Sequence, residues 1–315
     1  MAQSMSLFNL SLNLYRKSLK RLRPAHLGVH RLMTHVVIPL LEKRKDFRTM
    51  PDDPFWFRLE LLTNRHEAET VRQIDQLVRP GMTVLDVGAH VGYYARRCAR
   101  LVGENGRVIA FEPHPRTFDV LSHNVGGCGN ITPLQIALAE SEGTAELHDY
   151  LIMSASGSLH YDQAMFELQR SQLTTSDVAP RIAHNFPVQT FTVHTMPADA
   201  CLPEMGVERV DVVKMDIEGA EISALRGMRH TLANSPGMAL IMEYNPQALK
   251  AFGLQPEMAL AEVLDLGFRQ VQVVEGDGSL RDVTRDEAAI HRLTAQLMAD
   301  NHMAVVNLLF RRSLT

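Results

Sequence analysis

The chain has 315 residues, enough to bury a sizeable core as one large domain or as one domain with an appendage. Its formal net charge of −4 gives no overall nucleic-acid footprint, and 45% hydrophobic with 22% charged residues is ordinary for a globular protein. The three cysteines stand far apart, odd in number and without metal-ligand spacing, which fits a reducing compartment; no apolar run approaches the roughly 20 residues of a membrane span.

Residues 1–14 are apolar but interrupted by Ser and Asn, and the basic cluster Arg16, Lys17, Lys20, Arg21, Arg23 follows them. A secretory signal has the opposite order. As a helix, this segment places Leu12, Tyr15, Leu19 and Leu22 on one face, with Pro24 as its stop. Such a helix serves as a cap on the main domain, the preferred reading, or lies on an anionic membrane surface. Residues 32–41 read as a second short helix and residues 42–54 as a charged, proline-bounded linker.

Residues 55–79 are helical in pattern, with Ala68, Val71, Ile74 and Leu77 at three-residue spacing before Pro80-Gly81. Glu67 and Glu69 read as solvated helix charges, with an approach to a cofactor as the alternative. Thr83-Val84-Leu85-Asp86-Val87 is a buried parallel strand, and Gly88 and Gly92 make a sharp turn. A helix follows with Tyr94, Cys98 and Leu101 inward. Strand, glycine turn and helix form the first unit of a doubly wound sheet, although a glycine turn also occurs as a mere connector.

A second strand over 107–111 ends in Glu112. In a doubly wound sheet this acid lies beside the first glycine turn, where an acceptor-only carboxylate can take both hydrogen bonds of a ribose diol. Phe118, Leu121 and Val125 face a following helix inward, with Asn124 near its end. A third strand is expected over 131–139, and β-like runs over 144–148 and 188–194. Residues 160–185 are polar and too long for a plain connector, so they read as a lid or an acceptor-binding insertion.

The next informative stretch, residues 210–221, is a buried strand with Asp216 and Glu218 at its carboxyl end, leading to a helix carrying Ile222, Leu225 and Met228. Open α/β sheets bind ligands outside the carboxyl ends of their strands, so these acids project toward the crevice of Gly88 and Glu112. Clustered carboxylates are costly unless they hold a metal, a cation or a shared proton. Residues 239–242 form a strand ending in Glu243-Tyr244-Asn245. Strands at 268–274 and 304–310 flank a helix over 285–298 and suit a hairpin at the sheet edge.

Three motifs, in order on these elements, resemble the S-adenosylmethionine-dependent methyltransferases of the FkbM family. They are Val84-Leu85-Asp86-Val87-Gly88-Ala89-His90-Val91-Gly92; Phe111-Glu112-Pro113-His114-Pro115 with Leu121 and Asn124; and Asp211-Val212-Val213-Lys214-Met215-Asp216-Ile217-Glu218-Gly219-Ala220-Glu221. The resemblance implies an α/β fold: a doubly wound, Rossmann-like, seven-stranded class I methyltransferase sheet over residues 55–315, with a helical amino-terminal extension over 1–54. His90 and His114 stand where the family usually has asparagine, and the 160–185 segment is longer than usual.

The implied activity is methyl transfer from S-adenosylmethionine to a hydroxyl of a small molecule or glycan, such as a sugar, a glycolipid or a polyketide. The expected cofactor site comprises Asp86, Gly88, His90, Gly92, Phe111, Glu112, Asn124 and Leu138, with Asp86 attracting the ammonium group and Glu112 holding the ribose. An alcohol acceptor must lose a proton. Glu218 or His160 serves as base beside Asp216, or else Asp216, Glu243 and Asn245 hold Mg2+ that acidifies the hydroxyl.

Two other classes stay open. A NAD(P)-dependent Rossmann oxidoreductase normally shows G-x-G-x-x-G, whereas this turn is Gly88-x-x-x-Gly92. A cofactor-binding module would bind without turnover. No basic stripe with interleaved aromatics supports a nucleic-acid substrate. The remaining expectations are a cytoplasmic setting, peripheral contact with the inner face of the membrane through the basic amino-terminal helix, and a homodimer as one admissible assembly.

Overall fold

The computed structural model describes residues 23–149, 154, 157–161, 188–299 and 304–312. The helix expected over 12–22 and the 160–185 insertion from residue 162 onward lie outside the described residues. The described chain divides into two compact units. One holds residues up to 49 with 53–66, and the other holds 50–52 with 67–315, so the division falls at His66 rather than at Pro54.

In the first unit, helix Arg23–Leu32 continues through a π-helical turn, Met33–Val37, into Ile38–Lys45. Pro24 lies in the first turn of Arg23–Leu32, where its missing N–H costs nothing; the helix it was expected to end lies outside the described residues. The expected linker is also tied down. Asp46 closes the helix in the left-handed conformation, and Glu42 Oε1 accepts from Thr49 N (2.9 Å) and Arg58 Nη2 (3.2 Å). The helical pattern of 55–79 breaks into Phe55–Leu62 and Ala68–Leu77. Asn64 and Glu67, both at positive φ, turn the chain between them.

The second unit is built on an eight-stranded sheet in the order β10-β9-β11-β8-β7-β1-β2-β3. The strands are β1 Thr83–Val87, β2 Arg107–Phe111, β3 Ile131–Leu134, β7 Val212–Met215, β8 Ala239–Tyr244, β9 Phe268–Val274, β10 Leu280–Asp282 and β11 Val306–Arg312. β3, β2, β1, β7 and β8 are mutually parallel, while β11 runs antiparallel to both β8 and β9. The seven expected strands are therefore present, and the short β10 adds an eighth at the edge. β11 is inserted between β8 and β9 and so is not part of an edge pair; the edge hairpin is β9–β10.

Burial explains the parallel arrangement. Val84, Leu85 and Val87 of β1, Val212, Val213 and Met215 of β7, and residues 239–244 of β8 are all buried, as expected for strands covered on both faces. From β1 the chain winds outward to β2 and β3, then returns to place β7 on the other flank of β1. The switch point thus lies between β1 and β7, and it opens a crevice at their carboxyl ends.

The expected third strand, 131–139, is split. Gln135 and Ile136 leave β3, and Ala137–Leu138 (β4) pairs instead with Thr195 and Met196 of β6, Gln189–Met196. β4, β6 and β5 (Gly143–Asp149) form a separate three-stranded sheet with a small hydrophobic cluster of Ala137, Leu147 and Val193.

Candidate active site

The loop after β1 is shaped by close approach. Gly88 has φ +78, and a Cβ placed there would lie 1.9 Å from the Asp216 carbonyl oxygen. Only glycine lets the β1 and β7 loops touch. Gly88 N and Ala89 N donate to Phe111 O at 3.0 and 2.9 Å, and Asn124 Nδ2 donates to Val91 O at 2.7 Å. His90 sits at φ +51, a conformation that histidine tolerates better than most side chains, and its Nε2 lies 2.5 Å from Ser154 Oγ. Gly92, at φ +85, precedes helix Tyr93–Val102.

An open cleft of about 600 Å³ lies at this switch point. Phe111, Pro113, Ile136 and Leu138 form an apolar wall, Glu112, Asp216 and Glu218 supply carboxylates, and Ser154 and Leu159 border it.

Glu112 is fixed by the backbone. Its Oε2 accepts from His90 N at 2.9 Å and its Oε1 from His114 N at 3.0 Å. Each oxygen keeps a further lone pair. Burial pushes the carboxyl up to about 7, against these two hydrogen bonds. His114 is itself held: its Nε2 meets Asp149 Oδ2 at 3.0 Å and its Nδ1 accepts from Thr117 N at 3.4 Å, capping helix Pro115–Val125.

The opposite side of the cleft is built differently. One oxygen from each of Asp216, Glu218 and Glu243 lies within 4.8 Å of the others. Glu218 stands at φ +52 and Gly219 at φ +99; a Cβ on Gly219 would meet the Phe252 ring at 2.7 Å. Glu221 ties this turn together, its Oε1 accepting from Ile217 N and Gly219 N, each at 3.2 Å. Lys214 Nζ pairs with Asp216 Oδ2 at 3.0 Å and lies 4.9 Å from the centre of the Tyr94 ring. One charge of the cluster is thereby balanced. Glu243 Oε1 is buried with no hydrogen-bond partner among the described residues. Burial pushes Glu218 up to about 8, with the Asp216 and Glu221 charges adding to it. Burial, then Asp216 and Glu218, hold Glu243 well above the ordinary carboxylate range.

The sequence-derived residues are thus sorted. Gly88, Phe111, Glu112, Leu138, Asp216 and Glu218 line the cleft. His90, Gly92 and Asn124 stand behind it and shape the loop. Asp86 departs from expectation. It is 0% exposed and does not line the cleft, and the Ala95 backbone N–H helps hold its carboxylate. Burial raises it to about 6, opposed chiefly by Lys214. His160 does not line the cleft; its N–H donates to Ser158 Oγ at 3.2 Å and its ring centre lies 5.4 Å from that of Phe252.

Asn245 is also displaced from its expected role. Its Oδ1 accepts from Ala248 N at 3.1 Å as a helix cap, and its Nδ2 donates to Glu218 Oε2 at 3.4 Å. Glu218 takes its place in the acidic cluster. Glu67 is no solvated charge: its Oε2 accepts from Tyr94 Oη at 2.7 Å and from Asn307 Nδ2 at 3.3 Å. Lys214 and Glu221 were given no role by sequence reasoning, although a lysine inside the apolar run 210–217 is a readable signal.

A doubly wound sheet, a glycine turn at its switch point and a backbone-anchored acid beside an apolar wall define a nucleoside-binding site of the α/β class. Comparison with known proteins makes the class specific. A model described as the methyltransferase FkbM domain matches residues 86–270, and the chain belongs to the FkbM family of S-adenosylmethionine-dependent methyltransferases. It is 28% identical over 224 residues to the 2-O-methyltransferase NoeI of Sinorhizobium fredii, a match covering 67% of this chain and 84% of that one. It is 26% identical over 170 residues to the hexuronic acid methyltransferase AglP of Haloferax volcanii, covering 53% and 59%. It is 26% identical over 216 residues to the methyltransferase sdnD of Sordaria araneosa, covering 65% and 75%.

Proposed function

We propose that the chain methylates a hydroxyl of a sugar, free or within a glycan or glycolipid, and that the two carboxylate sides of the cleft divide the work. The names of two relatives, a 2-O-methyltransferase and a hexuronic acid methyltransferase, support a sugar acceptor over a polyketide. The residues present fit the cofactor. Glu112 is preset by two backbone N–H groups with acceptor capacity left for a diol, and it adjoins an apolar wall suited to a purine.

S-adenosylmethionine supplies an activated methyl group on sulfonium, so the chain has no covalent intermediate to form. Glu112 would hold the ribose, Phe111 and Leu138 the base, and the Gly88 loop would receive the methionyl end. Asp86 acts from beneath the loop by its charge. Across the cleft, a carboxylate oxygen of Glu218 would take the proton of the acceptor's hydroxyl while the hydroxyl oxygen receives the methyl group and S-adenosylhomocysteine leaves. With its carboxyl pushed up to about 8, Glu218 is deprotonated and able to act as base at mildly alkaline pH.

The observation that carries this reading is the contrast between Glu112, whose two oxygens are both anchored by backbone N–H groups, and Glu218, which lines the same cleft beside Asp216 and Glu243 with no backbone anchor among the described residues. The test is incubation with labelled S-adenosylmethionine and a panel of sugars and glycans. Label retained in a sugar O-methyl ether supports it; label found only on nitrogen or on nucleic acid overturns it.

Magnesium at the cluster is the second reading, favoured by three carboxylate oxygens within 4.8 Å of one another. The Lys214 ammonium on Asp216 already supplies one cation there, so the shared-proton reading is preferred. A chelator that abolishes transfer, with magnesium restoring it, would reverse that preference.

A further inference from the structure

The most unusual surface among the described residues lies in the first unit, on the helical stretch 28–45. Its exposed positions are 28, 31, 32, 35, 36, 39, 40 and 43–45, one face of the helix at spacings of three and four. Leu32, Val36 and Leu40 run along the middle of this face, 54%, 46% and 62% exposed. They are three of the six large apolar side chains that stand exposed among the described residues. Arg31, His35, Lys43 and Arg44 flank them. The stretch has one acid, Glu42, and it is engaged with Thr49 and Arg58 rather than exposed.

We infer that this face is a docking surface for an anionic lipid bilayer, with Leu32, Val36 and Leu40 entering the headgroup boundary and the flanking cations meeting lipid phosphates. The charge pattern selects this occupant. An interface with an apolar interior and a negative rim complements an aliphatic stripe flanked by Arg31, Lys43 and Arg44, although Asp46 is exposed just past the helix end. A second copy of the chain would bring like charges together, and the sequence of residues 16–23, itself basic, would be repelled in the same way. No helix among the described residues is long and apolar enough to cross a membrane, so the contact is peripheral. This face differs from the one expected on residues 12–22.

The experiment is co-sedimentation of the full chain with vesicles of phosphatidylcholine alone or of phosphatidylcholine with phosphatidylglycerol. The protein should sediment with the anionic vesicles, hardly with the neutral ones, and less as salt is raised. The triple variant L32S/V36S/L40S should partition about tenfold or more weakly. The single variant Leu40→Asp, at the most exposed position, should show the same direction if the triple variant folds poorly. Methyl transfer to a soluble acceptor should be unchanged in both variants, which separates this inference from the catalytic one. Wild-type protein remaining in the supernatant with anionic vesicles would overturn it. So would variants that sediment like wild type, or a dimer that the triple substitution dissociates without change in vesicle binding.

Discussion

The two sides of the cleft place carboxylates a few residues from strand ends by the same topology, yet they treat them in opposite ways. On the β2 side, Glu112 has both oxygens fixed by backbone N–H groups at 2.9 and 3.0 Å. On the β7–β8 side, Glu218 and Glu243 stand beside Asp216, which is paired with Lys214, and one buried Glu243 oxygen has no hydrogen-bond partner among the described residues. A carboxylate anchored by rigid donors is suited to hold a ligand; carboxylates crowded on one another are suited to take up and share a proton. The fold supplies the positions, and the hydrogen-bond environment assigns the roles.

The largest effect that would break this contrast is on turnover. Glu218→Gln should lower kcat by about 10²–10⁴-fold, as expected for loss of a general base, while changing cofactor affinity little. Single-turnover transfer of labelled methyl measures it. On the other side, Glu112→Ala should weaken S-adenosylmethionine binding by about 10²–10⁴-fold, since two hydrogen bonds to a charged acceptor are worth about 1.5–3 kcal/mol each. Isothermal titration reads this directly, and an unchanged affinity would remove Glu112 from the binding side.

A smaller effect concerns stability. Glu218 at about 8, Glu112 and Glu221 at about 7, and Asp86 at about 6 all stand above their ordinary values, chiefly through burial. The folded chain therefore binds more protons than the unfolded one between roughly pH 4 and pH 8. Stability from these groups is present below that window and is lost as pH rises through it. Thermal melts should show Tm falling from pH 5 to about pH 8 in the absence of ligand. Glu243→Gln, which removes a buried carboxylate with an unpartnered oxygen, should raise Tm at alkaline pH by a few degrees, on the scale of roughly 2–4 °C per kcal/mol. A flat pH profile, or a destabilised Glu243→Gln, would contradict the picture of strained acids.

Much of this was legible in sequence where the cause is local. The apolar run 83–87 followed by Gly88 announces a buried strand and a tight turn, and Gly88 proves necessary because the Asp216 carbonyl lies where its Cβ would be. Glu112 and the acids of 216–218 follow from the order of strands alone. What escaped depends on contacts between distant segments. The hydrogen bonds of Glu67 to Tyr94 and Asn307, and the insertion of β11 between β8 and β9, cannot be read from any window. Asn245 is instructive because a local rule did apply. Asn followed by Pro246 is a helix cap, and that ordinary role outweighs metal ligation once Ala248 N is in reach.

The most direct test is a paired measurement of S-adenosylmethionine Kd and single-turnover rate at saturating cofactor in Glu112→Ala and Glu218→Gln. The account predicts a crossed result: affinity lost with transfer largely kept in the first, affinity kept with transfer lost in the second. Equal loss of affinity in both, or wild-type transfer by Glu218→Gln, would contradict it.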